Sequence, residues 1–222
     1  MTEERPGHGK RRGRSEVFVL AGPNGAGKSS IGGEMFRASG VNVFNPDIVA
    51  AALRARIPAL TQAQANGLAW NRGRDLLERA IAAHKDFAFE TTLGGDTYPR
   101  LLATAANHGA AVYVWYVGLS SPELCLARIR SRVAQGGHDI PAADVRRRYD
   151  ASRLHLIRLL PRLTELRLFD NSESADPKSG AIPQLVLLLH LRDARKIAPD
   201  AITKTPDWAK PIVAAALGTT GR

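Results

Sequence analysis

The amino-acid sequence predicts one α/β domain built on a mostly parallel sheet that helices cover on both faces. Short apolar segments alternate with longer segments of helical periodicity along the 222 residues. Several apolar segments are almost free of polar residues, which is typical of strands buried on both faces of a parallel sheet. The first of them runs directly into a glycine-rich turn that precedes a helical segment.

The first half of the chain is predicted from its apolar runs and its breakers. An apolar, β-branched run ends at the glycine-rich turn, as buried strands do. Gly40 and Pro58 end helical segments, and Asn45-Pro46-Asp47 closes the second strand. The predicted elements are a strand at 16–21, a helix at 28–38, a strand at 41–44, and helices at 48–57 and 61–84, the last with apolar positions at Leu68, Leu76, Leu77, Ala80 and Ile81.

The second half contains the strongest strand signal, at 111–117, and the best helix start. Ser121, Pro122 and Glu123 combine a capping hydroxyl, a proline at the first helical position and an acid near the positive helix end. That helix stops at Gly136-Gly137. The other predicted elements are strands at 87–89, 166–169 and 185–190 and helices at 98–108, 142–160 and 208–217.

The composition excludes several classes of protein. Hydrophobic residues make up 44% of the chain and charged residues 23%, so the chain can bury a core and is not of low complexity. No apolar run approaches the roughly 20 residues that cross a bilayer, and the polar N-terminus lacks the apolar segment of a secretory signal. The single cysteine, Cys125, excludes an internal disulfide. We expect a cytoplasmic protein without a membrane partner.

The formal net charge of +10 comes mainly from two segments. Residues 1–14 hold five basic and two acidic side chains, a balance of +3, and residues 128–162 hold nine arginines and three aspartates, a balance of +6. We interpret residues 1–14 as a basic, disordered arm and residues 15–222 as the folded domain. A solvated arm is the simpler interpretation, and attraction to nucleic acid is the alternative. The arginine-rich segment fits either nucleic acid or a multiply charged phosphate.

A phosphate-binding loop follows the first strand. The segment from Gly22 to Ser29 matches G-x-x-x-x-G-K-[ST] between a strand and a helix, which is the context the motif requires. Glycines let backbone N–H groups point at phosphate oxygens, Lys28 can reach the β- and γ-phosphates, and the Ser29 hydroxyl can bind Mg²⁺. The predicted nucleotide-binding residues of this segment are Gly22, Pro23, Asn24, Gly25, Ala26, Gly27, Lys28, Ser29 and Ser30.

The other motifs favour a small-molecule kinase over a motor or a switch GTPase. Those proteins normally carry an apolar strand that ends in a Mg²⁺-binding aspartate. Only the strand at 166–169, followed by Asp170, has that form, and it comes late in the chain. The third strand ends in Glu90 instead, and no N-K-x-D motif for guanine occurs.

Polar residues follow the predicted strands at their carboxyl ends, where ligands bind in parallel sheets. Asp47 is placed to accept a proton from an attacking hydroxyl, but it also suits the cap of a helix that begins at Ile48. Glu90 suits Mg²⁺ or substrate, or it is an ordinary strand-end acid. Thr91 and Thr92 suit either substrate or the loop backbone.

Two arginines lie on the inward face of the helix that begins at 121. At about 100° per residue, Arg128 and Arg132 fall within the apolar arc around Cys125. Inward guanidinium groups are costly unless an anion meets them, and a triphosphate is such an anion; snorkelling to solvent is the alternative. On the next helix, Arg148 borders the apolar face and is predicted to bind substrate, whereas Arg147 suits a solvated surface.

The motifs together resemble the zeta-toxin family of P-loop kinases over roughly residues 16–172. The arginine spacing differs from that of the best-described toxins and is similar to that of a chromosomal branch of the family. The matching motifs are Gly22-Pro-Asn-Gly-Ala-Gly-Lys-Ser29, Asn45-Pro-Asp47, Phe89-Glu-Thr-Thr92, Arg128-x-x-x-Arg132-Val-x-x-Gly-Gly-His138, Arg147-Arg-Tyr149 and Asp170-Asn-Ser172.

The resemblance implies a kinase that uses ATP and Mg²⁺ to phosphorylate the 3′-hydroxyl of UDP-N-acetylglucosamine. It also implies a toxin that a small antitoxin holds inactive by blocking the ATP site. The implied roles are phosphate and Mg²⁺ binding by Lys28 and Ser29, general base catalysis by Asp47, contacts to the sugar nucleotide from Glu90 and Thr92, a phosphate clamp of Arg128 and Arg132, and adenine proximity for Asn171.

Two other interpretations stay open at this point. One is a kinase of a different acceptor, such as an NAD-like dinucleotide or a nucleoside. The other is a basic, ATP-dependent RNA-binding or regulatory module that uses the arm and the arginine-rich segment.

Overall fold

The computed structural model describes residues 14–29, 42–173, 185–193, 195–198 and 204–219. Six strands in these ranges form one sheet, in the order β2-β1-β3-β4-β5-β6. The first four are mutually parallel, and the last two pair antiparallel, so the predicted mostly parallel α/β sheet is confirmed. The strands are β1 (Glu16–Ala21), β2 (Phe87–Thr91), β3 (Ala111–Gly118), β4 (Glu165–Asp170), β5 (Val186–Arg192) and β6 (Arg195–Ala198).

Polar caps start two of the helices where the sequence predicts them. Thr61 forms a capping box with Gln64, and the Ser121 side chain accepts a hydrogen bond from the backbone N–H of Leu124. The predicted helix at 28–38 lies, from residue 30 onward, outside the described residues. The described helices are α1 (Pro46–Arg56), α2 (Gln62–Ala82), α3 (Thr97–Asn107), α4 (Pro122–Ala134), α5 (Ala142–Leu159) and α6 (Lys210–Thr219).

The core has one layer on each face of the sheet because successive strand residues point to opposite sides. Val17 and Val19 of β1 pack in a cluster with residues of α2, α3, α5 and α6. Leu20, which points to the other face, packs in a second cluster with α4 and the first half of α5. The predicted helical cover on both faces is therefore present. No helix of the described ranges is long and apolar enough to cross a membrane.

The strand predicted at 41–44 is wrong in extent: in the described residues it is a single parallel bridge between Phe44 and Phe89. The Phe44 N–H donates to Ala88 O, and Phe44 O accepts from the N–H of Glu90. Pairing stops there because the Asn45 side chain turns to cap α1, which begins at a proline. The bridge extends the parallel part of the sheet by one segment beside β2.

The buried face of α2 also differs from the prediction in its first turns. Leu68 is 49% exposed, whereas Ala65 and Ala69 are fully buried and pack with Ala50 of α1. Close contact between the two helices selects small residues, so the larger leucine lies outside. The four-residue edge strand β6 was not predicted, because two of its residues are basic and its apolar content is low.

The C-terminal segment covers the carboxyl ends of β3 and β4. The Trp208 indole is buried over Gly118, and its Nε1–H donates to the Asp170 carboxylate at 3.2 Å. A Cβ atom at Gly118 would lie 2.0 Å from the indole ring. Glycine is therefore required at the end of β3 for this segment to pack.

We expect Gly118→Ala to lower the free energy of unfolding by about 1–3 kcal/mol, because the added methyl overpacks the contact with Trp208. Chemical denaturation measures the change. Gly218→Ala in α6 is the matched control, since a Cβ there meets nothing within 4 Å, and it should not destabilise the protein. Equal stability of Gly118→Ala and the wild type would contradict this packing.

Candidate active site

The glycine-rich loop leaves β1 at Ala21 and passes directly against β3. Gly22 has a φ of +137°, and a Cβ at this position would lie 2.0 Å from Val117 O. Only glycine fits this backbone and this approach. Gly25 and Gly27 also have positive φ values, of +78° and +80°. The loop curls as the phosphate-binding motif requires, and its predicted glycines are where the turns occur.

Four polar side chains meet at the end of this loop, and we call them the Glu90 cluster: Lys28, Ser29, Asn45 and Glu90. The Ser29 hydroxyl donates to Glu90 Oε2 at 2.8 Å, and Asn45 Nδ2 donates to the same oxygen at 2.9 Å. Lys28 Nζ lies 3.7 Å from Glu90 Oε1 and donates to Pro23 O at 3.0 Å. The Lys28 and Glu90 side chains are both about nine-tenths buried, so their charges are paired in a shielded place.

The Glu90 cluster fits a Mg²⁺ ion bound together with a nucleotide. Mg²⁺ prefers oxygen ligands and normally uses one or two protein groups, with phosphates and water completing its octahedron. The Ser29 hydroxyl and the Glu90 carboxylate are such oxygens and lie next to each other. Within the described residues no cluster of three or more His, Cys, Asp or Glu side chains forms a self-sufficient metal site. A metal here would therefore depend on the phosphates.

A cavity of about 710 Å³ opens beside the loop at the carboxyl ends of β1 and β2. It brings together predicted residues from four separate segments of the chain. Three of them are Lys28 from the loop, Asp47 from α1 and Arg148 from α5. The other predicted residues in its wall are Asn24, Glu90, Thr91 and Thr92.

Asp47 stands in the first turn of α1 and exposes its carboxylate to this cavity. The interpretation of Asp47 as a helix cap is wrong. Asn45 is the cap, and its Oδ1 accepts from the N–H groups of Asp47 and Ile48. In the described part of the chain no hydrogen bond or ion pair engages the Asp47 carboxylate, so it is available to a ligand.

The two threonines at the end of β2 hold the turn that follows the strand. Thr91 Oγ1 accepts from the Leu93 N–H, and Thr92 Oγ1 accepts from the Gly94 N–H. Leu93 has a positive φ of 52°, an uncommon conformation for a leucine. The buried His155 ring of α5 contacts Leu93 O at 2.7 Å and Asp96 Oδ1 at 2.9 Å. The cavity wall at this turn is therefore held from both sides.

Arg128 and Arg132 face inward from α4 as predicted, but neither lines the cavity. Arg128 Nη2 donates to Asn171 O at 2.7 Å and to Glu173 O at 3.3 Å, and burial lowers the pKa of its guanidinium group. Arg132 Nη2 donates to His138 O at 3.2 Å, and its buried Nε has no partner among the described residues. Arg128 contacts the chain just after β4 and Arg132 the turn after α4, and neither is among the residues that line the cavity with Asp47.

Asn171 fastens the phosphate-binding loop to the end of β4. Its side chain is buried, and its Nδ2 donates to Ala26 O at 2.9 Å, while its backbone N–H donates to Gly118 O. The contact is a brace on the loop backbone, and the predicted proximity of Asn171 to the adenine stays a prediction. Ser30, the last predicted nucleotide-binding residue, lies outside the described residues.

The arginines of α5 form a charged wall of the cavity. Arg147 and Arg148 both line it, although Arg147 was predicted to be solvated surface. Asp144 accepts a hydrogen bond from Arg147 at 2.9 Å and lies 3.6 Å from Arg148, and these two arginines lower the pKa of its carboxyl group. The stem of Arg148 packs against Gly94, where a Cβ would lie 2.7 Å away. The net charge of this wall is positive.

Comparison with known proteins identifies the family to which this chain belongs. The family model described as an AAA domain matches residues 17–153, which is more than half of the chain. The chain belongs to the AAA-domain family. An uncharacterized protein of Haemophilus influenzae is 31% identical over 137 residues, which are 61% of this chain and 94% of the relative. The residues that match the AAA-domain model include the loop, Asp47, Glu90, both α4 arginines and Arg148.

Solved structures with TM-scores above 0.5 share the fold of this AAA domain. The native AvrRxo1-ORF1:-ORF2 complex contains a chain of TM-score 0.59 and 17% identity, with 93% of this chain and 71% of that chain covered. The same complex with ATP gives a TM-score of 0.59 at 18% identity, covering 91% and 64%. A chain from the PezAT chromosomal toxin–antitoxin system of Streptococcus pneumoniae has a TM-score of 0.48 and 15% identity, covering 78% and 74%. The fold of the AAA domain described here is that of P-loop kinases.

Several site residues of this AAA domain were not predicted. Asn45 was predicted to close a strand and to belong to the Asn45-Pro-Asp47 motif, but no role in the site was predicted for its side chain. Nothing in the sequence marks the cavity wall of α2, because its residues share a helical face only once the phase of that helix is known. The unpredicted wall residues include Gln62, Asn66, Gly67 and Trp70 of α2, His138 before α5, and Asp144 and Arg147 of α5.

We expect Asn171→Ala to lower the free energy of unfolding by about 1–3 kcal/mol, because it leaves Ala26 O buried without its side-chain donor. Chemical denaturation measures this change. Asn107→Ala, at the exposed end of α3, is the control and should leave stability within about 0.5 kcal/mol. If both variants have the same free energy of unfolding, the brace between β4 and the loop does not stabilise the protein.

Proposed function

We propose that the protein is an ATP-dependent kinase that transfers the γ-phosphate of ATP to a hydroxyl of a small acceptor, a nucleotide sugar such as UDP-N-acetylglucosamine. The observation that carries the proposal is that Asp47 and Lys28 line one cavity although 19 positions separate them in the chain. A carboxylate that no described residue engages, beside a phosphate-binding lysine, is what hydroxyl phosphorylation needs. The fold of P-loop kinases supports this reaction class.

The residues divide the task between holding phosphate and handling a proton. The loop N–H groups and Lys28 hold the β- and γ-phosphates of ATP. The acceptor hydroxyl oxygen bonds to the γ-phosphorus while the bond from that phosphorus to the β–γ bridging oxygen breaks, and ADP leaves. Asp47 takes the hydroxyl proton late in the step. Positioning supplies much of the rate, because the cavity converts an encounter of two substrates into a reaction within one complex.

We propose Ser29 and Glu90 as the Mg²⁺ ligands from the protein, with Asn45 orienting the carboxylate of Glu90. Bound Mg²⁺ would neutralise phosphate charge. Glu90 also balances the charge of Lys28 in the resting protein. We assign Arg128 and Arg132 to the nucleotide side of the loop. There Arg128 donates a hydrogen bond to the backbone oxygen of Asn171, just after β4. Arg148, Thr91 and Thr92 are assigned to the acceptor side.

The proposal also covers the protein partner and the cellular location. Similarity of the motifs to the zeta-toxin family supports a toxin of a toxin–antitoxin pair, with a small antitoxin as the protein partner. We also propose a cytoplasmic location, where ATP and nucleotide sugars occur together, and one catalytic domain over residues 15–222.

Purified protein, ATP and a panel of UDP-sugars, nucleosides and dinucleotides test the reaction, because phosphorylated acceptor and ADP must appear in equal amounts. Formation of ADP without any phosphorylated acceptor would contradict the proposal.

Substitutions in the cavity separate nucleotide binding from transfer. Lys28→Ala should lose both ATP binding and transfer, because the phosphates lose their cation. Asp47→Ala should keep the affinity for ATP and lower kcat by about 100-fold or more, the usual contribution of a general base. Calorimetry with Mg²⁺-ATP and turnover assays measure the two effects. Asp150→Ala removes an exposed carboxylate elsewhere on α5 and should leave both unchanged. Unchanged transfer by Asp47→Ala would remove it from the base role.

Metal dependence tests the Glu90 cluster. Chelation of Mg²⁺ should abolish transfer, and Glu90→Gln should raise the Mg²⁺ concentration required for half-maximal turnover, because a neutral amide is a poorer ligand for a hard cation. A titration of turnover with Mg²⁺ at fixed ATP measures this shift. Glu123→Gln, an exposed carboxylate on α4, is the matched control. The assignment fails if Glu90→Gln and wild type respond to Mg²⁺ alike.

A further inference from the structure

Gly67 lies in the second turn of α2, where no contact with the described residues requires a glycine. A Cβ at this position meets no described atom within 4 Å, and the residue lines the cavity. Gly73 on the same helix differs, because its Cβ would lie 2.7 Å from the Phe44 ring and from the Tyr98 hydroxyl. Glycine weakens a helix interior relative to alanine. The helix backbone at Gly67 is therefore open to a ligand that approaches it closely.

Trp70 follows one turn later and presents its indole to the same space. It lines the cavity and is 38% exposed. Helical side chains lean toward the N-terminus, so the indole leans over the turn that contains Gly67. Tyr98 packs edge-on against the ring at 5.8 Å between centroids, and Arg74 lies over it at 5.7 Å. The indole is held in place by these contacts and still has surface to offer a ligand.

Asn66 supplies a hydrogen-bonding group beside the indole. Its Oδ1 accepts from Gln62 Nε2 at 2.7 Å, and Gln62 Oε1 accepts from Arg54 at 2.9 Å. This chain of hydrogen bonds orients the amide and leaves the NH₂ group of Asn66 to donate into the cavity that it lines. A flat ring with a carbonyl at its edge matches such a donor.

We infer that Asn66, Gly67 and Trp70 form a shelf that binds the nucleobase of the acceptor by stacking and one edge hydrogen bond. The inference rests on the proposed function, because it names the part of the acceptor that this wall recognises. Gly95, in the turn after β2, lines the same cavity, and a Cβ there meets no described atom within 4 Å. A cavity of about 710 Å³ also exceeds what a sugar alone requires. Positive charge from Arg148 then faces the acceptor phosphates.

The test compares three variants of α2 with two acceptors. The acceptors are UDP-N-acetylglucosamine and N-acetylglucosamine 1-phosphate, which carry the same sugar with and without the base. Trp70→Ala should raise KM for the first by about tenfold, since base–aromatic stacking is lost, and Trp70→Phe should restore most of the affinity. Gly67→Leu should raise KM similarly by filling the shelf. Trp70→Ala and Gly67→Leu should leave unchanged both the Kd for Mg²⁺-ATP and the turnover of the base-free acceptor.

Leu68→Ala is the matched control, because Leu68 is adjacent, 49% exposed and absent from the cavity wall. It should leave every constant unchanged. If Trp70→Ala proves too unstable to assay, Gly67→Leu decides, since it replaces no packed atom. Unchanged KM for UDP-N-acetylglucosamine in folded Trp70→Ala or Gly67→Leu overturns the shelf and leaves the kinase proposal intact.

A binding measurement separates failure of the shelf from failure of the kinase reaction. Uridine diphosphate is titrated calorimetrically into protein whose nucleotide site is saturated with a non-hydrolysable ATP analogue. Binding that Trp70→Ala weakens about tenfold supports the shelf even if wild type phosphorylates no acceptor in the panel. Binding of equal strength in wild type, Trp70→Ala and Gly67→Leu overturns it.

Discussion

The parallel register between β1 and β2 is the constraint on which the candidate site depends. Leu20 stands opposite Glu90, and Ala21 opposite Thr91, so the glycine-rich loop begins at the level where β2 ends. The bridge at Phe44 aligns a third segment with the same edge and delivers Asn45 beside Glu90. A shift of one residue would turn Glu90 to the other face of the sheet. The Glu90 cluster therefore follows from backbone pairing before any ligand is considered.

Charge distribution around the cavity follows a simple physical logic. Lys28 is buried, and a buried ammonium group is costly unless it is paired, which Glu90 and Pro23 O provide. Asp47 has the opposite environment, since it is exposed and no described group engages it. One carboxylate is thus committed to structure and charge balance, whereas the other is available for chemistry. The two acids can serve different roles because their surroundings differ.

Sequence reasoning located the edge of the sheet at which the cavity opens and the order of most elements, because apolar periodicity and glycine or proline breakers are local signals. The helices at 46–56 and 122–134 and the strand at 111–118 illustrate this. It failed where tertiary packing overrides a local pattern. Leu68 points outward because α1 admits only small residues opposite it, and Arg147 lines the cavity although its place on the helix suggested a solvated surface. Neither outcome is encoded in the spacing of apolar residues along one helix.

The loop is held from two sides, and the second side lies beyond the part of the chain that the family model matches. Glu90 holds the Ser29 end through β2, whereas Asn171 holds Ala26 from the end of β4. Asp170, next to Asn171, accepts from the Trp208 indole, whose ring covers Gly118. Since Gly118 O in turn accepts from the Asn171 N–H, the C-terminal segment and the loop share one set of contacts. The segment that contains Trp208 is thus part of what positions the phosphate-binding loop, and residues 17–153 alone lack that support.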